Sequence, residues 1–243
     1  MDESSRIMSE VFFNVIYLSI VTVLIVKMIS RFSRVSSKNR KAAGCLLLAF
    51  GLLTGGDLIH LGFRIAGFAM GTLEKYYTFM GMELNPVGIG ALITGITFTL
   101  FYVAMLFLWR ARFGKPFGLT GFLLLLIAFV RFVIMLFSAN EWNSSTPPQP
   151  WFAYRTFPLV LQQAGMAYLM LRESKLTGDV CFRWVGIMMV VSFLFLLPIA
   201  FYIHAFPLLG MLMIPKTVTY IVMAFLGFAA LFRKDKLCSK LNS

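Results

Sequence analysis

Seven apolar stretches punctuate the chain, near 12–32, 42–70, 87–109, 117–137, 151–171, 180–204 and 207–232. Each approaches the ~20 residues an α-helix needs to cross a hydrocarbon core ~30 Å thick. Lipid offers no hydrogen bonds to the backbone, so a span must satisfy its N–H and C=O groups internally, as a helix does. The stretches predict an all-α membrane protein: one domain over residues 1–243, folded as a seven-transmembrane-helix bundle. Composition agrees, with 59% hydrophobic and only 13% charged residues, where a soluble domain carries about 25% charged. The second stretch is too long for one upright span, so it tilts or carries its last turns out of the membrane. The first is not a signal peptide. Its apolar run is too long, and its basic flank (Lys27, Arg31, Arg34) follows it.

Charge predicts the orientation. Sixteen of the 22 basic residues fall between Lys27 and Lys41, at Arg110–Lys115, at Arg172–Arg183 or in the tail from Arg233. Alternating spans place all four groups on one side. The other side holds Arg6 and Lys75 with six acids, Asp2, Glu3, Glu10, Glu74, Glu83 and Glu141. Basic loops stay in the cytoplasm, so the N-terminus is expected outside and the C-terminus inside, in a cell membrane crossed several times. The net charge of +12 then reads as an orientation signal and an attraction to anionic membrane lipids. It implies no nucleic-acid partner. Cys45, Cys181 and Cys238 fall on the basic side, where thiols normally stay reduced.

Five charges lie inside apolar stretches: Asp57, Arg64, Arg131, Arg155 and Lys216. A charge at mid-membrane costs roughly 2.5–3.5 kcal/mol on insertion scales, so each calls for a partner, a hydrated cavity or a ligand. Asp57, His60 and Arg64 are spaced i, i+3, i+7 and share one helix face. Arg131, Arg155, Gln162 and Tyr202 are expected at compatible depth, away from the basic ends. Pro158, Pro198 and Pro215 fall in the same halves, where each frees a carbonyl one turn earlier. Gly88, Gly90 and Gly95 with Thr94 and Thr97 suggest a closely packed third helix. The candidate ligand-binding residues are therefore Asp57, His60, Arg64, Arg131, Arg155, Gln162, Tyr202 and Lys216. Each also has a plainer reading, as an interhelical pair or an interfacial anchor.

Two histidines and three cysteines on the basic side build no outward zinc site of the usual kind, and no metal or cofactor is called for. HExxH, GxSxG and P-loop patterns are lacking, so no catalytic residue is assigned and enzyme activity is disfavoured. A lysine in a seventh helix invites comparison with retinal proteins. Those need a nearby carboxylate counter-ion, and Asp57 would have to serve from an unusual helix.

Four runs carry a resemblance. Residues 56–64 read GDxxHLxxR. Residues 94–102 precede WRxR at Trp109–Arg112. Residues 154–158 read YRxxP, and residues 207–220 read PLxGMLMIPKTxxY. Together they resemble a family of uncharacterised seven-helix integral membrane proteins common in Firmicutes. The resemblance covers helices two to seven and implies a bacterial membrane protein without implying an activity. Thr156 departs from it, since the family places Asn after the arginine.

Four cations against Asp57 favour an anionic group held by guanidinium forks and an ammonium. The expected function is binding of a small anionic metabolite or amphiphile in an outward-side polar pocket, for sensing or transport. The sensing version needs a cytoplasmic effector of unknown identity. The alternatives are an enzyme acting on a lipid headgroup, with His60 as general base, and a structural or partner-binding membrane subunit.

Overall fold

The computed structural model describes residues 3–72, 75–79, 82–144, 148–203 and 205–233. Seven α-helices follow one another: α1 Glu3–Arg31, α2 Ser37–Met70, α3 Pro86–Phe113, α4 Gly118–Met135, α5 Trp151–Thr177, α6 Val180–Tyr202 and α7 Met213–Phe232. Short 3-10 segments lie at Phe32–Arg34, Ser138–Asn140 and Pro207–Leu212. A small antiparallel hairpin, β1 Tyr77–Phe79 and β2 Met82–Leu84, occupies the α2–α3 connection with Tyr77 opposite Leu84. Six helices are long and apolar enough to cross a membrane. The chain is thus an all-α, multi-pass membrane protein. The exception is α5, which carries Arg155, Gln162, Gln163 and Glu173, all buried.

Local chemistry sets several boundaries. The Asn85 carboxamide oxygen accepts from the Val87 and Gly88 N–H groups at 2.9 and 3.1 Å, and Pro86 takes the first helical position of α3. The Asp179 side chain caps α6 by accepting from the Phe182 N–H at 3.2 Å. Gly114 and Gly178 end α3 and α5 with φ of 65° and 70°, a left-handed turn that side chains disfavour.

The helices close into a ring. Each packs on its sequence neighbours, α1 also meets α7, and α3 reaches inward to α5. Phe50, Phe98, Phe101, Tyr102 and Tyr220 form the aromatic centre, with edge-on contacts from 5.0 to 5.6 Å between ring centroids. The outward faces of α1 and α4 expose Phe12, Val23, Ile29, Phe122, Leu126 and Phe129. So apolar an exterior suits lipid rather than water.

The basic segments converge at one end. Arg112 donates to Asp179 at 2.9 Å and to Asn39 at 3.0 Å, which ties three connections together. Lys115 meets Glu173 at 3.6 Å, and Arg31 lies over the Phe228 ring at 5.4 Å. Cys45 at this end is a free thiol, but Cys181 is disulfide-bonded, which corrects the reading of it as reduced.

The seventh helix also differs from its expectation. Its apolar run starts at 207, yet the first six residues form a 3-10 segment and α7 begins at Met213. Pro215 therefore sits in the first turn, where the backbone N–H has no intrahelical acceptor to lose. It breaks nothing, unlike Pro158 and Pro198, which lie inside helices.

Candidate functional site

At the end of the bundle away from the basic loops, buried charge collects around α3. Gly56 of α2 makes the close approach. A Cβ there would lie 2.0 Å from the Thr97 hydroxyl, and Thr94 donates to the Gly56 carbonyl at 3.1 Å. Gly90 meets the His60 backbone in the same way, with a Cβ 2.9 Å from its Cα. The tight α2–α3 seam fixes Asp57 between α1, α3 and α7.

The Asp57 carboxylate accepts from the Tyr17 hydroxyl of α1 at 2.6 Å. It interacts electrostatically with Lys216 without forming a direct ion pair. Lys216 is 6% exposed. Its ammonium faces the Phe98 ring at 4.6 Å and the Tyr220 ring at 5.1 Å. Tyr220 in turn shares a 2.7 Å hydrogen bond with Tyr102 of α3. Among the described residues, no carboxylate or carbonyl hydrogen-bonds the Lys216 ammonium. Ring faces attract a cation but are weaker partners than an anion when the group is desolvated.

The arginines are better provided for. Arg131 of α4 donates through Nε to the Arg155 carbonyl at 2.9 Å and through Nη1 to the Gly95 carbonyl at 2.7 Å, and it also contacts the Thr99 hydroxyl. Arg155 of α5 packs its guanidinium on the Trp142 ring at 4.1 Å and donates to the Asn140 carbonyl at 3.3 Å. Arg131 feels both Arg155 and Lys216 electrostatically. Asp57, Lys216, Arg131 and Arg155 thus form one chain of charge across α2, α7, α4 and α5. Gln162 joins it by donating to the Thr99 carbonyl at 3.4 Å, and its own carboxamide oxygen is buried without a partner among the described residues.

The remaining candidates lie apart. Arg64 pairs with Glu10 of α1 at 2.5 Å and leans on Phe68. His60 lies against the α3 backbone near Val87 and Gly90, with its Nδ1 buried. Tyr202, at the end of α6, is 59% exposed and does not enter the cluster. His204, which ends the sixth apolar stretch two residues after Tyr202, lies outside the described residues. Arg131 pairs with neither Asp57 nor Glu141. Asp57 serves Tyr17 and Lys216, and Glu141 is exposed. Sequence reasoning missed Tyr17, Tyr102, Tyr220 and Glu10. No group of three or more histidine, cysteine or acidic residues able to hold a metal occurs among the described residues.

A multi-pass bundle with a buried acid–amine pair at its centre is the class the fold and this cluster define. Comparison with known protein families, curated proteins and solved structures returns no match.

Proposed function

We propose that this is a seven-span membrane protein, N-terminus outside, that binds a small anionic metabolite or amphiphile with Lys216 as its anion-binding group. The observation that carries the reading is the inequality among the buried cations. Arg64 has Glu10, Arg131 has two carbonyls and a hydroxyl, and Arg155 has Asn140 and two aromatic rings. Among the described residues Lys216 has ring faces and a carboxylate at a distance. An anion placed between Asp57 and Arg131 would give that ammonium the hydrogen-bonded counter-charge it lacks. The neighbouring Tyr102, Tyr220 and Phe98 would pack an apolar body attached to the charge. Sensing or transport is the role in keeping with the absence of an assigned nucleophile beside His60. The family resemblance of residues 56–64 and 207–220 belongs to the same proposal, because those runs supply Asp57 and Lys216.

The test is thermal melting of purified protein with matched anionic, neutral and cationic amphiphiles and metabolites. A ligand that binds only the folded state raises the melting point by mass action. Anions are expected to raise it and Lys216→Met to abolish the rise, with helicity of the variant checked by circular dichroism. Equal response to neutral compounds, or a shift unchanged in Lys216→Met, overturns the proposal.

A further inference from the structure

Two open clefts lie along α2, one at the basic end and one reaching the Gly56–Thr97 seam beside Asp57, and they share a residue. The first, about 700 Å³, opens between the start of α2 and the end of α3 at the basic end. Arg40, Lys41, Arg110 and Lys115 line it, over the apolar floor of Leu48 and Phe107. The second, about 450 Å³, runs along α2 between α1 and α3 and is almost wholly apolar, walled by Ile25, Leu52 and Ile93 among others. Leu48 belongs to both, so the basic cleft and the apolar groove adjoin on α2.

Lys41, Leu48, Gly51, Gly55 and Ile59 follow at spacings of seven, three, four and four, which keeps them on one face of α2. From Lys41 to Ile59 the face runs about 27 Å at ~1.5 Å per residue. That exceeds the half of a ~30 Å hydrocarbon core that one leaflet occupies. The glycines open the groove: a Cβ at Gly51 or Gly55 would meet nothing within 4 Å. The cations at its mouth are only partly engaged. Among the described residues, Lys41 is exposed with no partner, Arg110 rests on the Phe117 ring at 4.7 Å, and Arg40 reaches the Ser33 carbonyl at 3.4 Å. One carboxylate, Glu173, meets Lys115 there.

We infer that the cleft and groove together form a specific site for one anionic phospholipid of the leaflet at the basic end. Its phosphate sits among Arg40, Lys41, Arg110 and Lys115, and one acyl chain lies along Gly51 and Gly55. The charge and the apolar path answer different parts of one molecule. Four cations select a net negative headgroup over a zwitterionic one. A groove with missing side chains takes a chain that a free phosphate does not have. The site shares no charged residue with the Lys216 cluster, and its tests change Lys41, Arg110 and Gly51, none of which lies in that cluster, so each proposal can fail without the other.

The experiment is native mass spectrometry of delipidated full-length protein titrated with phosphatidylglycerol, phosphatidylcholine or inorganic phosphate. Phosphatidylglycerol is expected to be retained at one copy in preference to phosphatidylcholine, with inorganic phosphate not retained. Lys41→Gln with Arg110→Gln removes two headgroup charges and should weaken retention roughly 30-fold, from about 1 kcal/mol for each basic residue near the surface. Gly51→Leu fills the groove without changing charge and should weaken retention of phosphatidylglycerol at unchanged affinity for its water-soluble glycerophosphate headgroup. Gly51 faces open space and Lys41 and Arg110 are exposed, and circular dichroism confirms that each variant remains helical. Equal retention of the two lipids, or retention unchanged in either variant, overturns the inference.

Discussion

Lys216 and Arg131 are both buried cations of the same cluster, yet their substitutions should behave differently. Arg131 spends its donors on carbonyls of α3 and α5, so it acts as a clamp between three helices. Arg131→Gln should lower stability by about 3 kcal/mol, since hydrogen bonds from a charged donor are worth roughly 1.5–3 kcal/mol each. Arg131→Lys should rescue only part of that, because an ammonium cannot reproduce the guanidinium fork. Denaturation in mixed detergent micelles measures both. Asp57 and Lys216 should instead be coupled. Asp57→Asn leaves the ammonium without its carboxylate and should destabilise the bundle, and adding Lys216→Met should restore part of the loss. Simple additivity in melting experiments would rule the coupling out. The four charges were legible in the sequence because a charge within an apolar run stands out. Tyr17, Tyr102 and Tyr220 were not, because 8 tyrosines among 26 phenylalanines look like core filler. The Glu10–Arg64 pair was hidden because it joins two helices 54 positions apart.

At the level of helices, hydrophobic run length located every element, and the ends shifted by the residues that cap them. Helix α3 runs to Phe113 because Gly114 can take the left-handed turn, where the apolar run alone suggests an end at 109. Run length could not reveal that 207–212 is 3-10 rather than α, since both conformations bury the same apolar residues. The glycines separate into two kinds that sequence alone cannot distinguish. Gly88 packs against the α4–α5 connection, where a Cβ would lie 2.3 Å from the Trp142 carbonyl oxygen. That neighbour is backbone and cannot swing away, so Gly88→Ala should cost about 1–3 kcal/mol. Gly51 faces open space, so Gly51→Ala should be neutral or stabilising by up to about 1 kcal/mol through helix propensity. Melting curves of the two variants in the same detergent decide this. A Gly88→Ala protein as stable as the parent would mean that the connection does not seat on α3 as described.

For the whole molecule, what matters is which way the ring faces. Its asymmetry is larger than any one loop. Asn39, Arg112, Lys115, Glu173 and Asp179 knit the basic connections into one polar plate, whereas the opposite end is closed by the hairpin and the α4–α5 connection. In the proposed orientation the plate is the cytoplasmic surface, since basic residues resist translocation and meet anionic lipid there. In the proposed seven-span reading α5 also crosses the membrane, and its polar Gln162 and Gln163 face the bundle, at most 2% exposed. An N-out, seven-span protein should let a membrane-impermeant maleimide label Asn143→Cys on intact cells. Ser37→Cys should label only after permeabilisation. Both positions are exposed at opposite ends of the bundle, so accessibility differs only through the membrane. Labelling of Ser37→Cys but not Asn143→Cys on intact cells would invert the orientation and move the Lys216 cluster to the inner half. Labelling of both on intact cells would remove the membrane as the barrier between them.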